Sequence, residues 1–253
     1  MALEIHTFRR QVHHTFQHPL SIALQTREAL LTVLAVPRSS GGAVAALLCR
    51  LWKNDPATLA AFVDAYALHG RSVTGLHDTR FVPLDAHTRV ANSLFIGVTE
   101  AATGRAHAIS SFASRDALLA AVAASCCVPR SFHPFDVLRS RPTYPAGEGV
   151  LLDDCNGAYV DGGITAAAPI VPAACTVTVS PLSGPTTSRP GHRISPARGT
   201  RLGALTLADL PVDLSVDNAR ALVHSLGASP SVLRSYFERG QRDAAAFAAQ
   251  APL

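Results

Sequence analysis

Lysine is almost absent from this sequence. Lys53 is the only one, so the 22 basic residues are one lysine and 21 arginines. Such a bias, alongside abundant alanine, reflects the base composition of the source genome more than selection for guanidinium chemistry. Charge of either sign is scarce, at 16% of residues, against roughly a quarter in ordinary globular chains. That scarcity excludes a disordered chain, a coiled coil and a charged-tail protein. The arginines are scattered and form no basic run, which excludes a nucleic-acid binder of the usual kind. Long apolar runs are missing as well. The longest, Ala29 to Val36 and Ala43 to Leu51, are broken by Pro37, Arg38 and Arg50, far short of the ~18 residues of a membrane span. Arg9, Arg10 and four histidines interrupt any signal-peptide core near the start. The five cysteines (Cys49, Cys126, Cys127, Cys155, Cys175) are odd in number and make no CxxC pair. They are expected to be small buried thiols in a reducing, cytoplasmic setting.

What is present is a chain of 253 residues, 48% apolar, with a net charge of +4 and a mean hydropathy of +0.21. A chain of this length buries enough surface to fold without disulfides or a metal. Its hydropathy leaves a greasy surface to be explained.

Residues 1 to 28 are polar and rich in histidine. His14 and His18 stand one helical turn apart, but Pro19 follows and no nearby acid or thiol completes a ligand set. No metal site is expected there. Leu31 to Val36 reads as a buried strand, Pro37 to Gly42 as a turn, and Ala43 to Trp52 as a helix. A second helix is expected over Ala57 to Leu68, and a loop from Gly70 to His87. Strands follow at Leu94 to Thr99 and Ala106 to Phe112, with a turn between them at Ala101 to Gly104. Ser114 is placed to cap an alanine-rich helix ending near Cys126. Pro129 to Pro145 reads as a loop, Ala158 to Val160 and Cys175 to Val179 as strands, and residues 181 to 203 as a mobile loop. Two helices, about 216 to 226 and 230 to 249, close the chain. Strands alternating with helices argue for an α/β domain with a largely parallel sheet.

Two local features carry chemistry. In Pro37-Arg38-Ser39-Ser40-Gly41 a serine sits on a sharp turn between a strand and a helix. That geometry lifts a hydroxyl above the sheet and aims the following backbone N–H groups at whatever it attacks. The run is unspecific alone, because Ser40 would serve equally as a helix cap. In Tyr159-Val-Asp-Gly-Gly163 a carboxylate ends a short strand and two glycines allow close approach to another loop. Asp161 could act as the base for a serine; the bland alternative is an Asp-Gly hairpin turn. A triad with a histidine base would draw on His77, His87, His107 or His133, among which the sequence does not choose.

Taken in order, Ser39-Ser-Gly-Gly-Ala-Val-Ala-Ala-Leu, Ala124-Ser-Cys-Cys-Val-Pro-Arg and Tyr159-Val-Asp-Gly-Gly-Ile resemble the patatin-like phospholipase domain. The stretches from Thr88 to Thr99, Ile109 to Leu118, Thr176 to Gly184 and Tyr236 to Asp243 point to the adipose triglyceride lipase/adiponutrin branch. The resemblance implies a three-layer α/β/α fold with a mostly parallel central sheet over residues 29–253, after an atypical segment 1–28. It implies a serine ester hydrolase of the triacylglycerol lipase type, with Ser39 as nucleophile and Asp161 as base. Ser40 and Gly41 would belong to the elbow and oxyanion site, and Gly162 and Gly163 to the loop of the dyad. No cofactor and no metal are implied. The partners would be an acylglycerol or phospholipid at a lipid surface and an activator protein, with no nucleic acid. The location would be cytoplasmic, peripheral on lipid droplets or membranes.

The sequence departs from the family pattern. No glycine precedes Gly41, so the glycine-rich oxyanion loop and first strand of the family are not recognisable. Pro37 replaces the first elbow glycine, and Ala166-Ala-Ala168 follows the Asp loop. Loss of one oxyanion donor costs ~3 kcal/mol. The alternative is therefore a catalytically impaired member that binds lipid droplets or a regulatory partner. Phe132, Phe135 and Leu138, with Arg130, Arg139 and Arg141, would suit a lipid surface, although such aromatics more commonly pack over a sheet.

Overall fold

A computed structural model describes residues 5–7, 41–52, 55–68, 73–133, 136, 141–152, 157–165, 178–185, 193–208, 210–226 and 228–250. The expected strand at Leu31 to Val36 and the turn that carries Ser39 and Ser40 lie outside them.

Helix α1 (Gly41–Trp52) is apolar apart from the exposed Arg50 in its last turn. Ala43 to Cys49 and Leu51 are all buried, so α1 is a core helix and not a surface one. Asp55 begins α2 (Pro56–Leu68): its Oδ1 accepts the N–H groups of Ala57 and Thr58, each at 3.1 Å. The stretch expected to be a loop holds a 3₁₀ turn (Val73–His77) and the short α3 (Ala86–Val90). Ser114 accepts the Ala117 N–H at 3.0 Å and caps α4 (Arg115–Ser125), as expected.

The main sheet has five strands: β1 (Ile5–Thr7), β2 (Ile96–Glu100), β3 (Ala106–Ile109), β4 (Val150–Leu151) and β5 (Ala158–Asp161). Their order is β1-β3-β2-β5-β4. For the described residues the expectation of a mostly parallel sheet is corrected, because every ladder of this sheet among them is antiparallel. The reason is local. β2 and β3 are joined by a five-residue turn, Ala101 to Arg105, with Gly104 at φ +62°, and a connection this short can only reverse the chain. A Cβ at Gly104 would also meet the Pro142 carbonyl at 2.6 Å. Among the described residues the one parallel ladder joins β6 (Thr178–Val179) to β7 (Arg193–Ile194) in a separate pair. A third sheet, the hairpin β8 (Gly203–Leu207) and β9 (Leu210–Leu214), precedes α5 (Val216–Leu226) and α6 (Pro230–Gln250). The protein is thus of mixed α/β class.

Apolar packing occupies both faces of the main sheet. On one face Val98, Ile96, Ile109 and Tyr159 join α1, α3 and α4 in the largest cluster. On the other, Val160, Ala158 and Ile164 pack with Ala101 and Tyr144. Phe132 packs against that second cluster and also against the cluster built from Leu182, the β8–β9 hairpin and α5. The aromatic considered above for lipid insertion is therefore partly buried between two layers; Phe135 and Leu138 lie outside the described residues. Residues 180–185, expected in part to be mobile, are held instead. Ser180, Leu182 and Ser183 are buried, the Ser183 N–H donates to Asn218 Oδ1 at 2.9 Å, and its carbonyl accepts the Asp213 N–H at 2.9 Å.

Candidate active site

β5 carries Asp161 to the end of the main sheet. Its register sets Asp161 opposite Val98 and Tyr159 opposite Glu100. Residues directly opposite in a ladder share a face, so Asp161 lies on the face of Val98 and Tyr159. That is the side on which α4 packs, with α1 in the same core cluster.

Asp161 is 0% exposed, and its backbone is fixed from two sides. Its N–H donates to the Cys127 carbonyl at 2.9 Å, just past the end of α4. Its carbonyl accepts the Thr99 hydroxyl at 2.9 Å, and that hydroxyl in turn accepts from Thr165, 2.8 Å away. The carboxylate is only half satisfied. Oδ1 accepts the Gly163 N–H at 2.8 Å, while the buried Oδ2 has no hydrogen-bond partner among the described residues. Burial drives the Asp161 pKa well above the ordinary 3.8, and the Gly163 N–H offsets this only in part. A buried carboxyl oxygen without a donor demands one, or a proton.

The two glycines now have distinct reasons. Gly162 presses against β2: a Cβ there would lie 2.4 Å from the Gly97 oxygen and 2.5 Å from its carbonyl carbon. Gly163 supplies the N–H that caps the carboxylate, and Gly162–Ile164 form a 3₁₀ turn begun by Asp161 itself. The Asp-Gly pair is therefore no hairpin turn, since β5 pairs with β2 and with β4, both earlier in the chain.

Three sequence runs far apart in the chain thus meet at Asp161: Gly97 to Thr99, the Cys127 carbonyl, and the Asp-Gly-Gly turn. The parts of Thr99 and Cys127 were not read from the sequence. A glycine inside a strand, such as Gly97, was the one available sign of close backbone approach. The Cys127 thiol donates to the Glu148 carbonyl at 3.7 Å. Burial, then the charges of Asp161 and Glu148, push its pKa up, which makes it a poor nucleophile.

Of the other expected site residues, Ser39 and Ser40 lie outside the described residues, and Gly41 is the first residue of α1. Among the described residues no histidine bonds to Asp161. His107 shares its face across Val98 but stands edge-on to Tyr159, ring centroids 5.7 Å apart, with Nε2 3.5 Å from Glu100 Oε2. His77 is exposed, and the His133 N–H donates to Asp136 at 2.8 Å. No cluster of metal ligands, and no helix long and apolar enough to cross a membrane, occurs among the described residues.

A buried aspartate on a Gly-Gly turn, backed by helices on one face of a sheet, defines an α/β protein with a candidate acid–base site. Known proteins narrow the class. The chain is 33% identical over 125 residues to patatin-like phospholipase domain-containing protein 4 of Homo sapiens, covering 49% of this chain and 42% of that one. It is 29% identical over 167 residues to patatin-like phospholipase domain-containing protein 2 of Rattus norvegicus, covering 66% and 31%. It is 27% identical over 146 residues to the 1-acylglycerol-3-phosphate O-acyltransferase Pnpla3 of Mus musculus, covering 57% and 30%. Over about half to two thirds of its length the chain is similar to patatin-like phospholipase domain-containing proteins. Its matches span less than half the length of these relatives. No family model and no solved structure matches it.

Proposed function

We propose that the chain is a lipid acyl hydrolase of the triacylglycerol lipase type, with Ser39 as nucleophile and Asp161 as its base. The observation that carries the reading is the buried Asp161 Oδ2, which has no donor among the described residues. A serine hydroxyl would supply that donor. Asp161 also lies on the face whose core cluster includes α1, and Ser39 stands two residues before that helix in the sequence. The raised pKa suits a carboxylate that must take a proton near neutral pH.

The chemistry follows from this pair. Asp161 takes the Ser39 proton as the serine oxygen bonds to the ester carbonyl carbon. The tetrahedral adduct collapses, the ester C–O bond breaks, and the leaving alcohol carries the proton away. Water then attacks the acyl carbon and gives a proton to Asp161; the bond to the serine oxygen breaks, that oxygen takes the proton back from Asp161, and a fatty acid leaves. Ser40 and Gly41 are proposed for the elbow and oxyanion site, and residues 29–253 for the catalytic domain. The family's three-layer arrangement is part of this reading. The substrates would be acylglycerols or glycerophospholipids, met peripherally at a lipid droplet or membrane, with an activator protein as a further partner. One relative is named for acyl transfer to 1-acylglycerol-3-phosphate, and the same acyl-serine could react with such an acceptor.

The test is fatty acid release from emulsified triacylglycerol by the wild type and by Ser39→Ala. Activity in the wild type that falls to background in the variant is expected. Equal activity in both rejects the assignment.

A further inference from the structure

β8 has one edge unused. The strand runs from Gly203 to Leu207 and pairs along its whole length with β9. Successive residues of a strand point to opposite faces, yet Ala204, Leu205 and Thr206 are all exposed. No layer therefore covers the middle of β8 on either face. One edge of β8 is taken by β9, and the other meets no strand among the described residues. β9 differs, because its Asp213 N–H donates to the Ser183 carbonyl at 2.9 Å on the side away from β8.

A free strand edge is a row of backbone donors and acceptors. Natural proteins protect such rows by short strands, charge, proline or a covering element. The other edges here are short: β1 has three residues, and β4, β6 and β7 have two each. β8 has five, Gly-Ala-Leu-Thr-Leu, with no charge and no proline. What fits a free edge is another strand, since an extended chain presents the matching N–H and C=O groups. The side chains of β8 suit a second copy of the same strand. Two β8 strands laid antiparallel with full overlap have their twofold axis at Leu205. Gly203 then stands opposite Leu207 of the partner copy, and Ala204 opposite Thr206. Each larger side chain meets a smaller one, and no like charges meet. We propose that β8 is a self-association edge, which joins two copies of this chain through one antiparallel strand pair. So small a contact falls below the ~1,200 Å² of a stable interface. The dimer is therefore weak and reversible, with a Kd of about 10–100 µM. The proposal rests on the open edge and does not depend on the catalytic reading.

Sedimentation velocity of the whole chain, from about a tenth of that Kd to about ten times it, tests the proposal. A monomer–dimer equilibrium is expected, with no larger species, because a twofold pair uses both free edges. Ala204→Lys/Thr206→Lys sets like charges opposite each other twice across the axis and should weaken the dimer by about tenfold. Ala204→Lys/Thr206→Glu alters the same positions but sets opposite charges across the axis, and should dimerise at least as well as the wild type. Leu84→Lys/Leu151→Lys, at exposed positions elsewhere, adds the same charge as the first variant and should leave the equilibrium unchanged. All four positions are exposed, so each variant should melt with the wild type. A wild type that stays monomeric throughout, or a dimer that the double lysine variant of β8 leaves intact, overturns the proposal. So does equal weakening by the two β8 variants, since the register about Leu205 predicts opposite effects.

Discussion

Gly162→Ala puts the contact between the Asp161 turn and β2 under direct strain. The added methyl would sit 2.4 Å from the Gly97 oxygen, 2.5 Å from its carbonyl carbon and 2.9 Å from the Val98 nitrogen. All three are backbone atoms of a central strand, so no side chain can swing aside. Relief needs a separation of about 1 Å between β5 and β2, the gap between 2.4 Å and an ordinary contact near 3.4 Å. Overpacking of this kind costs about 1–3 kcal/mol, and the upper end applies where only backbone can yield. In a chain of this size ~3 kcal/mol lowers Tm by about 6 to 12 °C. Because the same shift carries Asp161 with it, turnover should fall by roughly a hundredfold. Calorimetry and ester hydrolysis measure the two effects. Gly157→Ala is the matched control: its methyl would meet only Glu100 Oε1, at 3.9 Å, and should change stability by no more than about 0.5 kcal/mol. A Gly162→Ala protein that melts with the wild type refutes the steric reasoning.

Two further variants probe the buried charges. Burial raises the folded-state pKa of Asp161 well above 3.8, so the folded protein holds that proton more tightly than the unfolded chain. Stability from this group is full below about pH 3.8 and is lost as pH rises toward the folded value. Asp161→Asn should therefore raise Tm at neutral pH, by a margin that vanishes near pH 4, while abolishing turnover; a pH-independent change in Tm contradicts this. Asp213 behaves oppositely. Arg198 holds its pKa below 3.8, so its stabilisation is present above that value and is lost as pH falls through the folded pKa. Arg198→Ala should lower Tm at neutral pH and leave it nearly unchanged in strong acid; equal losses at both pH values would refute the pairing.

The parts legible in the sequence were those set by neighbours in the chain. Ser114 announces α4 because a serine cap needs only the next turn. α1, α5 and α6 follow from their residue types and spacing, and Asp161 from its place between a β-rich run and two glycines. Pairing partners were not legible. β2 and β3 were both read, but their antiparallel union depends on a short turn that a pattern of alternating strands and helices hides. The β8–β9 hairpin was missed because its turn lacks the usual Asn-Gly: Ala208 takes φ +43° without a glycine's freedom. Residues 180–185 looked like loop because Pro, Ser and Gly dominate them. Their order comes from Asn218, whose amide reaches the Ser183 carbonyl (2.8 Å) and the Asp213 carbonyl (2.7 Å). The greasiness of the composition also found a place. Five of the seven large hydrophobic side chains exposed among the described residues fall between Leu202 and Val223, whereas Phe132 is half-buried.

The most direct measurement of the central claim is covalent. A fluorophosphonate phosphonylates a serine only when that serine is activated, with loss of fluoride. After labelling of the native chain, trypsin should release the peptide Ser39 to Arg50, bounded by Arg38 and Arg50. The account predicts one adduct, on Ser39 of that peptide, absent in Ser39→Ala and strongly reduced in Asp161→Asn. A folded wild type that takes no label, or labelling that survives Ser39→Ala unchanged, would contradict it.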